Sequence, residues 1–433
     1  MRALTKYYFD YAATAPLDPR VMRAMLPFFS RRFGNSASLY KLGHEARQAL
    51  DCARQKIIDI FGGPPAEFIF TGSATEADNL AILGAARALK SQGNRIIVSA
   101  VEHKGILAAA AALATEGFEI VTIGVNKNGL INLRQLAAAL NEKTILLSVT
   151  LADSETGTIQ PIQQIAALVK KFRRARGQAH PYLHTDATQA AAYLNIDAEH
   201  LLVDLLTLSA HKLGGPKGIG GLLVRGKLKL TPLIYGGGQQ NNLRSGTENL
   251  PAIIGFAKAL ELVTQERKKE TRRIKILRDY LEKQILNRIP KVILNGHPVK
   301  RLPNFLNVSI LDIEGEAMLL RLDDKNISVG TGSACNSQTL EPSYIIEALG
   351  RPYEYIHGSL RFTLGRETTR SAINYVLKHL SIIVSDLRQM SPLNLKLTSR
   401  KKLISLPQAF IGGQTPHFTR TALYAIKKVK KYD

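Results

Sequence analysis

The feature that most constrains this chain is an alternation of apolar runs with Ala-rich stretches between about residues 65 and 225. The runs RIIVSA (95–100), ILLSVTLA (145–152), YLHTDA (182–187), DLLTLSA (204–210) and GLLVRG (221–226) read as buried strands. Between them, TEADNLAILGAARALK (75–90), KGILAAAAALATEG (104–117) and IQQIAALVKKFRRA (162–175) read as helices. Such alternation predicts an α/β fold, with a mostly parallel sheet covered by helices on both faces. A long charged helix at about 251–289 then leads to shorter strands, FLNVSI (305–310) and LRFTL (360–364), in an α+β arrangement. The predicted organisation is a large domain over 15–260, a small domain from 1–14 and 261–393, and a basic tail over 394–433.

Bulk properties narrow the class. With 433 residues, 45% of them hydrophobic, the chain is long enough for two cores. No run of about 18 apolar residues predicts a membrane span. The opening MRALTKYYFDYAATAP lacks the apolar core of a signal peptide. Only Cys52 and Cys335 occur, which argues against a disulfide scaffold and for a reducing, cytoplasmic setting. The net charge of +23, partly in the tail at Lys396, Arg400, Lys401, Lys402 and 427–431, favours solubility and attraction to polyanions. No nucleic-acid-binding motif accompanies it, so a nucleic-acid partner is not expected.

In an open parallel sheet, ligands bind beyond the carboxyl ends of the strands. His103, Asp153, Ser154, His184, Asp186, Ser209, His211 and Lys212 follow successive strands and are expected to converge there. A lysine at a buried strand end loses stability as a cation. Its alternatives are an imine to an aldehyde cofactor or an ordinary surface lysine. Asp186 either pairs with a pyridinium N–H or caps the following helix. Ser73 and Glu76 form a capping box, S-x-x-E, so a helix begins there, and its free N–H groups with the Thr75 hydroxyl suit a phosphate. The ring of His103 is flat enough to stack on a flat cofactor, or is simply structural. Small residues flank Cys335 in VGTGSACNS (329–337), predicting an exposed loop, whereas Cys52 sits in a helical stretch. Arg361 in a strand offers a fork for a carboxylate, or makes an ordinary ion pair.

Taken together and in order, these residues resemble the cysteine desulfurases of the class-V aminotransferase family, which are fold-type I pyridoxal-phosphate (PLP) enzymes. The resemblance runs from about Tyr8 to Leu393. It rests on YFDYAATAPLDPRV, FTGSATEADN, EHK, ETGTIQPI, HTDATQA, SAHKLGGPKGIG, GGGQQNNLRSGTEN, GSACNSQTLEPSYIIEALG and LRFTLGRETT. The GSAC…LEPS stretch is similar to the subgroup with a long catalytic loop, which serves iron–sulfur cluster assembly and tRNA thiolation.

The resemblance implies roles. Lys212 holds PLP as a Schiff base and moves the α-proton, Asp186 pairs with the pyridine nitrogen, and His103 stacks on the ring and helps in acid–base steps. Gln189 and Ser154 face the ring oxygen. Ala74, Thr75, Ser209 and His211 hold the phosphate, and Thr247 reaches the phosphate of a second subunit, which implies a homodimer. Arg361 and Asn35 bind the L-cysteine substrate, and Cys335 takes its sulfur as a persulfide, leaving L-alanine for release and sulfur for an acceptor or scaffold protein. The chain departs from the family at Ser154 in place of an Asn, at Ser36 and Tyr40 in place of a Pro and a His, and at Gln240 and Asn241 in place of an acid and an arginine. These changes touch cofactor tuning and loop support. Rival readings are another fold-type I chemistry (an aminotransferase, or a selenocysteine or β-lyase activity), which needs no Cys335, and a non-catalytic scaffold protein.

Overall fold

The computed structural model describes residues 7–62, 66–226, 228–332 and 342–391. Cys335 and all of the expected tail, 394–433, lie outside them. Strand β1 (Tyr7–Tyr8) pairs in parallel with Ile327–Ser328. The main sheet is built from β2 (Ala66–Thr71), β3 (Arg95–Ser99), β4 (Glu119–Ile123), β5 (Thr144–Ser148), β6 (Tyr182–Asp186), β7 (Leu205–Ser209) and β8 (Gly220–Arg225). Its seven strands lie in the order β2-β8-β7-β6-β5-β3-β4. The run β7-β6-β5-β3-β4 is parallel, while β8 is antiparallel to both of its neighbours, β7 and β2.

Alternate residues of each strand feed different cores. Ile97, Leu147, Leu183, Leu206 and Leu223 pack on one face. Ile96, Val98, Leu146, Leu205 and Leu222 pack on the other. Burial on both faces is why these strands read as continuous apolar runs rather than as an alternation. The sequence reading did not single out β2 or β4, whose residues are more polar or merge into flanking motifs.

The helix Leu250–Arg288 links two cores. Its start, including Ile253, Phe256 and Leu260, joins one core of the main sheet, whereas Ile274, Leu281 and Ile285 join a separate cluster. That second cluster lies against a three-stranded antiparallel sheet of β9 (Val292–Leu294), β10 (Phe305–Ile310) and, after β11 (Ile327–Ser328), β12 (Ser359–Thr363), with β10 central. The helix Arg370–Met390 covers the cluster through Ile373, Val376, Leu377 and Leu380. Among the described residues no helix is long and apolar enough to cross a membrane.

Candidate active site

A cavity of about 130 Å³ opens beside the carboxyl ends of the parallel strands, walled by Ser73, Ala74, Thr75, His103, Ser154, Asp186, Gln189, His211 and Lys212, among others. A larger cavity of about 1100 Å³, lined by residues such as Asn132, Gln160 and Asn195, holds none of the singled-out residues.

Lys212 lies in the 3-10 turn His211–Leu213 that follows β7. Its Nζ donates to the carbonyl of Ala12 and, at 2.6 Å, to that of Ala13. Gln189 Nε2 also donates to the Ala12 carbonyl, at 3.1 Å. The lysine is therefore held by neutral carbonyls from the N-terminal segment. Asp186 is the last residue of β6 and only 8% exposed. Its Oδ1 accepts the backbone N–H of Thr188 at 2.8 Å, which closes a turn rather than capping a helix, since the next helix begins only at Ala198. His103 caps the helix Lys104–Thr115, its Nδ1 accepting the N–H of Gly105 at 3.1 Å. Enclosure by the protein pulls the proton affinity of this imidazole below the usual range, Asp186 opposes that shift, and Lys212 adds to it.

The opposite end of the cavity is the start of the helix Ala74–Asn79, which continues through a π turn, Leu80–Gly84, into Ala85–Ala88. Ser73 Oγ accepts the N–H of Glu76 at 3.1 Å, as the capping pattern predicts. A Cβ at Gly220 would stand 2.5 Å from the Ser73 carbonyl carbon and 2.6 Å from Ala74 N. Only glycine lets β8 approach this helix start so closely. His211 Nδ1 lies 3.0 Å from Thr14 Oγ1, and burial, then Lys212, hold its pKa down to about 4.

Arg361, from β12, reaches the same region. Its Nη1 donates to the Ser154 carbonyl at 2.8 Å and its Nη2 pairs with Asp10 at 2.7 Å. Its buried Nε has no hydrogen-bond partner among the described residues. Next to it, Glu155 Oε2 accepts from Ser343 Oγ at 2.5 Å. Burial pushes the Glu155 carboxyl up to about 7, against the pull of Ser343 and Arg361. A Cβ on Gly332 would meet both Ser343 and Glu155. The two ends of the segment that carries Cys335 thus rest beside Glu155, next to cavity residue Ser154.

Not every strand-end residue converges. Ser209 is buried at the end of β7 but is not part of the cavity wall. Asp153 turns inward: Oδ1 takes the N–H groups of Glu155 and Thr156, and Oδ2 that of Thr158, so it shapes its own turn. His184 lies inside β6 and is fully buried between Ser148 and Thr207. Asn35 and Thr247 are exposed and outside the cavity. At the departures, Ser36 donates to Glu248 at 2.7 Å, while Tyr40 is 62% exposed. Gln240 Oε1 accepts from Phe70 N and Arg54, and Asn241 donates to Glu67 at 3.4 Å. Gln240, Asn241 and Asn242 all have positive φ, a conformation that asparagine tolerates better than most residues.

Sequence reasoning missed two buried acids at this site, Asp78 and Glu102. The spacing from Thr75 to Asp78 was the available signal, since residues three apart share a helix face. The donor set fits PLP: one cavity brings together an amine, a carboxylate, a flat imidazole and a helix start with Thr75 and His211.

Residues 7–376 match the aminotransferase class-V family. The chain is 44% identical over 395 residues to a protein named cysteine desulfurase IscS from Dictyoglomus turgidum, covering 91% of this chain and 98% of that one. It is 40% identical to a mitosomal cysteine desulfurase from Trachipleistophora hominis, covering 90% and 89%. Among solved structures, a NifS-like protein superposes with a TM-score of 0.82 at 32% identity, over 88% of this chain and 99% of that one. A structure described as SspA in complex with cysteine gives 0.71 at 31% identity, over 83% and 99%.

Proposed function

This chain belongs to the class-V aminotransferase family, and from that premise we propose that it is a PLP-dependent cysteine desulfurase that converts L-cysteine to L-alanine. The carrying observation is that Lys212, Asp186 and His103 share one cavity at the strand ends.

When bound, PLP supplies an aldehyde that joins an amine and a ring that draws off electrons. Lys212 is the amine that holds it and, once released, the base that moves the substrate α-proton. Asp186 keeps a proton on the ring nitrogen. His103, its proton affinity lowered, stacks as a neutral ring and exchanges protons. Thr75, His211 and the Ala74 N–H would hold the phosphate and Gln189 and Ser154 would face the ring oxygen, all on the cavity wall, while Ser209, off that wall, would act only from the end of β7. Arg361 would take the substrate carboxylate, its Nε having no hydrogen-bond partner among the described residues, with Asn35 helping from outside the cavity. The Cys335 thiolate attacks the substrate sulfur, forming S–S as C–S breaks. The C–S electron pair stays on carbon, which takes a proton and leaves as alanine. The resting of Gly332 and Ser343 beside Glu155 supports a thiol within reach.

A homodimer is part of this reading. Met22, Leu26, Phe29, Phe33, Leu39 and Tyr40 are all exposed large hydrophobics within residues 22–40, and Thr247, also exposed, is the residue that would reach across. Sedimentation at micromolar protein is expected to read a dimer, and a monomer would contradict it. The sulfur passes to an acceptor or scaffold protein for iron–sulfur cluster assembly or tRNA thiolation, in a reducing cytoplasmic compartment. Labelled sulfur that leaves only as free sulfide with every acceptor tried would count against that last step.

The test is alanine release from cysteine with added PLP. Cys335→Ala is expected to lose at least ~100-fold while keeping the visible absorbance of bound cofactor. Undiminished turnover would favour another fold-type I chemistry.

A further inference from the structure

Behind Asp186 lies a second layer of buried polar groups that the reaction above does not use. Asp78 and Glu102 are 1% and 0% exposed. Glu102 Oε1 accepts the Thr150 N–H at 2.6 Å, and Ser148 Oγ stands 3.4 Å from Glu102 Oε2 and 2.9 Å from His184 Nδ1. Thr207 Oγ1 lies 3.0 Å from His184 Nε2, and Asp78 Oδ1 is 3.8 Å from that same nitrogen. Neither oxygen of Asp78 has a well-formed hydrogen bond among the described residues, although Thr207 adjoins it. Asp78 also reaches the cavity wall. A polar line therefore runs from Glu102 through Ser148, His184 and Thr207 to Asp78.

Three carboxyl groups, Asp78, Glu102 and Asp186, act on one another here. Asp186, Thr207 and Glu102 act on Asp78 and His184 lies beside it, while Lys212 and His103 line the same cavity. His184 is held neutral, its pKa pulled down to about 3 by burial. Charging more than one acid in this space means desolvating a second anion against the first. Burial, then the charge of Asp186, push the Asp78 carboxyl well above its ordinary range. Burial likewise lifts Glu102 to about 8. Lys212 shares the cavity with both Asp186 and Asp78, and Asp186 and Lys212 both act on His103.

We propose that Asp78 is a positioning residue, a neutral carboxylic acid that together with Glu102 backs Asp186 and fixes it for the cofactor's ring nitrogen. The inference rests on the PLP reading for its purpose, though not for its first observable. Infrared spectra of the purified protein without cofactor, labelled with 13C-carboxyl aspartate, are expected to show a protonated-carboxyl stretch at neutral pH that Asp78→Asn removes. Absence of that stretch in the wild-type protein overturns the proposal whether or not PLP binds, and needs no variant to fold. The second readout is PLP affinity and the pH titration of its visible absorbance. Asp78→Leu puts hydrocarbon where the acid adjoins Thr207 and His184 Nε2 and is expected to weaken PLP binding by about tenfold. Asp78→Asn, neutral and of the same shape, is expected to restore affinity to within about threefold, with the titration unmoved. A large shift in Asp78→Asn, or a Leu variant that matches wild type, overturns the proposal. Failure of every variant and of the wild type to bind PLP would instead strike the reading of the site.

Discussion

The two sides of the candidate active site, the proposed cofactor side and the proposed substrate side, are built differently. The cofactor side is made of strand ends and helix starts: Asp186 closes β6, Lys212 follows β7, and Thr75 begins a capped helix. Each is anchored by strands whose apolar residues are buried on both faces. The substrate side is assembled from parts distant in sequence: Arg361 on β12 bonds Asp10 and Ser154, and Glu155 meets Ser343. A rigid pole suits a cofactor that stays in place, and rigid elements hold reacting groups more closely than loops do. A thiol that must collect sulfur and then deliver it is better carried on a loop.

Substitutions on the two sides are therefore expected to separate cofactor binding from sulfur transfer. The largest effect belongs to Lys212→Ala, expected to remove the visible absorbance of bound PLP and to cut alanine formation by at least ~1000-fold. Retained absorbance and activity would erase the distinction. Arg361→Lys keeps the charge but loses the fork, and charge-assisted pairs of ~1.5–3 kcal/mol set its scale. KM for cysteine is expected to rise about 10- to 100-fold with PLP affinity unchanged. A fall in PLP affinity instead would move Arg361 to the cofactor side.

A smaller effect comes from the buried acids. Glu102 ordinarily titrates at 4.5 and is raised to about 8 in the fold. A raised acid binds more protons folded than unfolded, so its contribution is complete below 4.5 and is lost as pH rises through 8. Glu102→Gln is expected to flatten the fall in stability across that window, by on the order of 1–3 kcal/mol. Denaturant titrations at several pH values read this, and an unchanged slope would contradict it. His184 works in the opposite sense. Lowered from 6.5 to about 3, its contribution is present above 6.5 and lost as pH falls through 3.

Much of the cofactor side was legible in the sequence because a strand end followed by a polar residue is a local pattern. Lys212, Asp186 and His103 could be placed from it, Thr75 from the capping box and Gln189 from the family resemblance, and all five share the cavity. What failed was the assumption that every such residue faces the ligand. Asp153 satisfies three N–H groups of its own turn, and His184 lies one strand turn too early to escape the core. Asp78 was passed over because a carboxylate within a helix usually means a solvated face. Its burial depends on β6 and β7 lying beneath it, which no local pattern reports. The reversal of β8 escaped for a related reason: an apolar run carries no direction.

The account rests on Lys212 as the residue that PLP engages. Borohydride reduction of the PLP-loaded protein, followed by peptide mass mapping, tests this directly. A pyridoxyl adduct on Lys212 is the expected result, and an adduct on a different lysine, or none at all, would contradict it.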